Sequence, residues 1–299
     1  MRLDYQIFDV FTARPFAGNP LAVVSGADSL SDAQMQAIAR EFNLSETIFL
    51  QEPAEAGHTA SARIFTTTGE LPFAGHPTVG AAVALGLKSG QAVVTIEEKV
   101  GLIVAEVARK GARLGRAEFS LPRLPAPAGE PANIVRTAAS LGLPVEDIGC
   151  PGFEPEVWSA GVAYYMIPVR DAAALARIKR DPAGWSETFP SGRHSVFAFT
   201  ATPEEAGNDY AARMLSPSVG EDPATGGAAA SFIGAIAARS GLKDGEMRLR
   251  IRQGHEMGRP SLIEVALQMQ GGKLAGARVG GEAVLVAEGV LDWDETAGA

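Results

Sequence analysis

Residues 69 to 87 read GELPFAGHPTVGAAVALGL, and residues 220 to 236 read GEDPATGGAAASFIGAI. Each is a polar turn with glycine and proline that runs into small apolar residues, the pattern of a helix opening out of a tight loop. Glycine lets the backbone approach a neighbour closely, and the first amides of a helix lack intrahelical partners. Such a mouth favours an anion, through those amides and the helix dipole. His76 follows Gly75 in the first stretch, and Asp222 lies in the matching turn of the second. An imidazole at a helix N-terminus is biased toward its neutral form and suits acid–base work. Taken singly, each stretch reads equally well as a buried helix behind a turn, and a lone histidine reads as a structural hydrogen-bonder. Recurrence, with an imidazole in one copy and a carboxylate in the other, points to a site for a carboxylate-bearing small molecule.

The surrounding elements repeat as well. ARIFTTTGELPFAGH at 62 to 76 lies beside ARMLSPSVGEDPATGG at 212 to 227, and GLKSG at 86 to 90 is echoed by GLKDG at 241 to 245. Several elements in one order imply two lobes of the same design about a pseudo-twofold axis, each with strands and a central helix. The period is far longer than that of a solenoid. Local signals fill in the rest. Ser31 and Gln34 form a capping box, with Leu30 stapling onto Met35 and Asn43 closing the helix, so Glu46 falls at a helix-to-strand junction. Strands are expected at the N-terminal LDYQIFDVF, at 59 to 66, as a pair across 93 to 107, at 116 to 122, near VAYYMIPV and at HSVFAFT. Helices are expected around 133 to 142 and from Asp171. LAVV, which follows Pro20, is a short strand or a helix start, and PRLPAPAGEPAN is the best linker candidate.

Composition narrows the class. A 299-residue chain with 46% hydrophobic and 20% charged residues has material for two medium domains with real cores. No run of 18 apolar residues exists, so no membrane helix is expected, and MRLDYQIFDVF lacks the form of a signal peptide. With a single cysteine, Cys150, an internal disulfide is impossible, and the cytoplasm is the default compartment. Net charge is −9 with scattered basic residues, which argues against nucleic acid and for a small-molecule partner. RIKRD at 177 to 181 reads as a solvated helix end. HEMGR at 255 to 259 has an arginine where a zinc motif needs its second histidine, and nucleophile-elbow, P-loop and dinucleotide fingerprints are missing.

FDVFTARPFAGNPLAVV, NLSETIFL, ELPFAGHPTVGAA, GEDPATGGAAA and RQGHEMGRPS, in that order across residues 8 to 261, resemble the PhzF-like phenazine-biosynthesis isomerase family. The resemblance implies an α+β fold of the diaminopimelate-epimerase type, two similar lobes each with a curved, mostly antiparallel sheet around a central helix. It implies an N-terminal lobe of 1–122 plus about 283–299, a C-terminal lobe of 130–282, and a site in the cleft. Carried over by motif, Glu46 matches the catalytic glutamate that moves a proton between carbons of a conjugated system. His76 and Asp222 match the other polar site residues; Asn19 and Ser45 lie near the site, and Gly75 and Gly226 offer backbone amides. Where the family motif has a site serine, this chain has Gly227, a departure that touches the substrate. A homodimer and freedom from any cofactor are further implications. The two-thiol racemases of the same fold are excluded, because Ala74 and Thr225 stand at the thiol positions and Cys150, expected to be a small buried residue, lies elsewhere. Epimerisation without thiols, or binding of a small carboxylate without turnover, are the alternatives to isomerisation.

Overall fold

Strands dominate because runs such as LAVV and VFAFT are apolar on both faces and have a covered side on each. The computed structural model describes residues 2–192, 194–202, 207–239 and 242–293. The chain divides into two compact units, Met1–Pro122 with Gly280–Ala299, and Arg123–Val279.

The first unit runs β1 (Arg2–Val10), β2 (Asn19–Ser25), α1 (Asp32–Phe42), β3 (Glu46–Gln51), β4 (Ala60–Phe65), β5 (Glu70–Leu71), α2 (Gly75–Ser89), β6 (Val93–Glu98), β7 (Gly101–Arg109) and β8 (Leu114–Ser120). LAVV is therefore a strand. Pairing is antiparallel for β1–β2, parallel for β2–β3, antiparallel for β3–β4, parallel for β4–β6, and antiparallel for β6–β7 and β7–β8. α2 is the core of this unit. Residues from Gly75 to Ala84 are buried on every face, which is why the helix shows small residues all round and no polar stripe. At Gly80 an added Cβ would stand 2.4 Å from Leu21 Cδ2, so the strand can lie this close only over glycine. α1 packs outside, with its capping box formed and Leu30 and Met35 buried in one cluster.

The second unit runs β9 (Ala126–Pro127), α3 (Ile134–Leu141), β10 (Glu156–Ser159), β11 (Ala163–Pro168), α4 (Ala172–Arg177), α5 (Trp185–Thr188), β12 (Val196–Ala201), β13 (Tyr210–Ser216), β14 (Gly220–Asp222), α6 (Gly226–Ala237), β15 (Gly245–Gln253) and β16 (Ser261–Gln270). Then β17 (Lys273–Asp292) leads back into the first unit, where it pairs antiparallel with β1 from Arg2↔Asp292 to Val10↔Ala283 and also meets β8. From β10 to β16 the pairing is again antiparallel, parallel, antiparallel, parallel, antiparallel. Thus α6 takes the place of α2, and β15 that of β6. Gly234 would put a Cβ 2.3 Å from the Trp158 ring, so this helix too admits its strands only over small residues.

Two expectations change. PRLPAPAGEPAN is not a free linker, since Ala126 and Pro127 pair with Ser159 and Trp158. Cys150 is half-exposed, and its backbone bridges to Phe153. The GLKDG echo lies partly outside the described residues, because Gly241 is not among them. No helix among the described residues is long and apolar enough to cross a membrane.

Candidate functional site

The shared A-R … G-E pattern of the repeat turns out to be scaffold. Arg63 holds Glu70 through Nε and Nη2 at 2.8 Å each, and Arg213 holds Glu221 in the same two-pronged way at 2.8 Å each. Both pairs clamp the short hairpin ahead of a central helix, which fixes where the helix begins. Bidentate geometry suits this task, because it sets an orientation as well as a distance.

At the mouth of α2 the positioning begins with Gly18. Its backbone is left-handed (φ 64°), and a Cβ there would lie 2.3 Å from the Val10 carbonyl oxygen. That turn delivers Asn19, wholly buried, as the first residue of β2. Leu21 of β2 is in register with Glu46 of β3, and the left-handed Asn43 at the end of α1 brings the chain to half-buried Ser45 and Glu46. His76 is the second residue of α2, 4% exposed, and its Nδ1 stands 3.3 Å from Glu46 Oε2. Glu46 keeps 18% of its side chain accessible. Burial drives the His76 pKa down to about 3, against a smaller upward pull from the Pro20 carbonyl. The ring is therefore neutral at pH 7, and the contact joins a neutral imidazole to a carboxylate rather than an ion pair. His76 Nε2 is buried with no protein partner. Ala74, the N-cap, has no side chain to cap the helix, and Gly75 follows it, buried.

The second mouth is braced differently. Asp222 closes β14, 6% exposed, and its Oδ2 takes a 2.5 Å hydrogen bond from the Thr225 hydroxyl. Gln253 Nε2 donates to the Asp222 carbonyl at 2.7 Å and to Thr225 Oγ1 at 3.1 Å, and its Oε1 accepts from the Thr225 amide. Gly254 then turns away left-handed, where a Cβ would meet the Arg259 and Pro223 carbonyl oxygens at 2.4 and 2.6 Å. So RQGHEMGRPS braces the turn that carries Asp222, while His255 of the same stretch is exposed. Gly226 and Gly227 open α6.

The structure therefore brings Glu46 and His76 into contact, with Ser45 and Gly75 next to them in the chain and Asn19 two residues before the Glu46 register partner Leu21. Asp222, Gly226 and Gly227 form the mouth of α6. The sequence reading gave Thr225 and Gln253 no part in the site; the two lie 28 residues apart, and no local signal joins them. Groups of three metal-binding side chains are absent among the described residues.

The fold is mixed α+β with two similarly built units, and a carboxylate and an imidazole meet at the mouth of one central helix. A family model described as phenazine biosynthesis-like protein matches residues 8–289. An uncharacterized isomerase of Mesorhizobium japonicum is 47% identical, over 96% of this chain and 98% of that protein. The trans-2,3-dihydro-3-hydroxyanthranilate isomerase of Pseudomonas chlororaphis is 34% identical, over 96% and 98%. The crystal structure of a PhzF-family phenazine biosynthesis protein of Bacillus anthracis superposes with a TM-score of 0.86, at 24% identity over 98% of this chain and all of that one, and shares the fold. The chain belongs to the phenazine biosynthesis-like, or PhzF, family, and it is an isomerase.

Proposed function

We propose that this isomerase, without a cofactor, moves a proton on a small cyclic or conjugated carboxylate, with Glu46 as the base. One observation carries the reading: an accessible Glu46 carboxylate 3.3 Å from a buried, neutral His76. A neutral imidazole can orient the carboxylate through its N–H without neutralising it, so Glu46 remains able to accept a proton. Glu46 takes the proton from one carbon, the electron pair spreads over the conjugated system, and the same carboxyl returns a proton at another carbon. Asp222 is assigned the second polar role, and Asn19, Ser45 and the amides of Gly75, Gly226 and Gly227 the recognition of substrate. These assignments rest on motif resemblance and on the local geometry of each helix mouth. The dihydro-hydroxyanthranilate of the Pseudomonas relatives belongs to the proposed substrate class.

Incubation with a panel of small carboxylates in heavy water, followed by NMR, tests the reading. Deuterium uptake at carbon is expected for the wild type and a loss of at least about 100-fold in Glu46→Gln, the scale of a removed general base. Equal uptake by both proteins would clear Glu46. Binding without uptake would favour the non-catalytic reading, for which Gly227 is the one supporting feature. A cytoplasmic homodimer, proposed on resemblance alone, predicts twice the chain's 31.1 kDa by light scattering; a monomer mass would remove it.

A further inference from the structure

Gly227 brings no side-chain hydroxyl to the mouth of α6, where the Thr225 hydroxyl is already engaged with Asp222, yet a second hydroxyl stands beside it. A Cβ placed on Gly227 would lie 3.1 Å from the Tyr164 phenolic oxygen and 3.8 Å from its Cε2 and Cζ. The approach is built into the fold. Tyr164 pairs with Trp158 across β10–β11, so both side chains share a face. Trp158 rests on Gly234, and the Ser231 hydroxyl accepts from the Ala160 amide at the hairpin's turn. Residues 227, 231 and 234 form one side of α6, and the hairpin presses against it. The neighbouring Tyr165 points the other way, into the apolar cluster, with its oxygen accepting from the Ser191 amide. Tyr164 is only half-buried, unlike Tyr165.

We propose that the Tyr164 hydroxyl serves as the substrate-facing hydroxyl at the mouth of α6, making Tyr164 a specificity-determining residue of this isomerase. The inference rests on the proposed function, since it needs a carboxylate held at that mouth. It also bears on Gly227: a serine Cβ would stand 3.1 Å from the Tyr164 oxygen, a tight contact that is met only if the tyrosine shifts by a few tenths of an ångström. Removing the phenolic oxygen leaves only the ring carbons at 3.8 Å, ordinary contact, and a serine then fits.

The test is a swap. Tyr164→Phe, Gly227→Ser and the double variant are compared for deuterium exchange on the best substrate, and for binding of anthranilate, a stable cyclic amino-carboxylate, by calorimetry. Thermal unfolding is run beside them. Tyr164→Phe is expected to weaken kcat/KM and anthranilate binding about three- to tenfold, the range of one hydrogen bond, beyond any change in Tm. The double variant is expected to recover most of that loss, which a merely structural tyrosine would not allow. Unchanged binding in Tyr164→Phe, no anthranilate binding by the wild type, or a loss that tracks Tm and ignores the serine, each overturns the proposal. Calorimetry needs no turnover, so failure of the Glu46 mechanism shows separately, as exchange that survives Glu46→Gln.

Discussion

Two buried titratable groups sit on the first turns of α2 or against them, and they respond to pH in opposite senses. His76, depressed to about 3 by burial, is neutral when folded but protonates below about 6.5 when unfolded. Its contribution to stability is full above 6.5 and is lost as the pH falls toward 3. Glu98 is the mirror case. Thr78 Oγ1 lies 2.8 Å from the Ala74 carbonyl oxygen and 2.7 Å from Glu98 Oε1. The one hydroxyl proton of Thr78 is shared between these two acceptors, and Glu98 Oε2 is buried without a partner. Burial raises its pKa to about 8, with the Thr78 bond pulling the other way. Nearby charges are engaged elsewhere: Glu97 with His58, Lys99 with Glu70, and Arg63 with Glu70. The folded state thus holds a proton that the unfolded chain releases above about 4.5, and this stabilisation fades as the pH rises to 8. At the end of the corresponding strand β15, the neutral amide of Gln253 braces Thr225 at the start of α6. Glu98→Gln is therefore expected to be more stable than wild type at pH 8, by about 1–3 kcal/mol, with the gap closing toward pH 4.5. Urea unfolding at a series of pH values measures it; a constant gap would mean that Glu98 is already ionised in the fold.

At the scale of elements, what could be read in the sequence was what short-range chemistry decides. α1 was legible because its cap, staple and left-handed stop are local, and Ser31, Gln34 and Asn43 are where those rules put them. The central helices were legible through repetition and small residues, and the same repeat placed both Gly75 and Gly226 at helix starts. The linker was misread because proline and alanine signal an extended chain, while the pairing of Ala126–Pro127 with β10 depends on a strand some thirty residues away. The pairing of the repeat's charged members was out of reach for a related reason. Arg63 with Glu70 and Arg213 with Glu221 are separated by seven and eight residues, and only the antiparallel turn between them makes them partners. Conversely, the contact between Glu46 and His76 spans thirty residues and no propensity rule reaches it; motif resemblance brought the two together before any geometry did. Tyr164 lay beyond both kinds of signal, because its relation to Gly227 exists only through the packing of the β10–β11 hairpin against α6.

For the molecule as a whole, the decisive segment is β17, which starts in one unit and ends in the other. In the first unit it lies between β1 and β8, so the strands close into a ring around α2, from β17 through β1, β2, β3, β4, β6, β7 and β8 back to β17. Closure leaves the ring without the open edges that β1 and β8 would otherwise present. Gly280 is where the chain enters that ring. A Cβ there would meet the Ala117 carbonyl oxygen at 2.6 Å and Glu118 Cα at 2.9 Å, both backbone atoms that cannot swing aside. Gly276, four residues earlier on the same strand, would meet nothing nearer than Gln268 Cβ at 3.4 Å. Alanine at the two positions separates strand propensity from closure. Gly280→Ala should lose about 1–3 kcal/mol of stability, the usual cost of overpacking, whereas Gly276→Ala should be near neutral. Because His76 sits on the helix inside the ring, Gly280→Ala should also lower the exchange rate at temperatures where the protein is still folded. Equal stability of the two variants in thermal unfolding would show that β17 has room to shift, and that closure of the ring does not depend on a glycine at its entry.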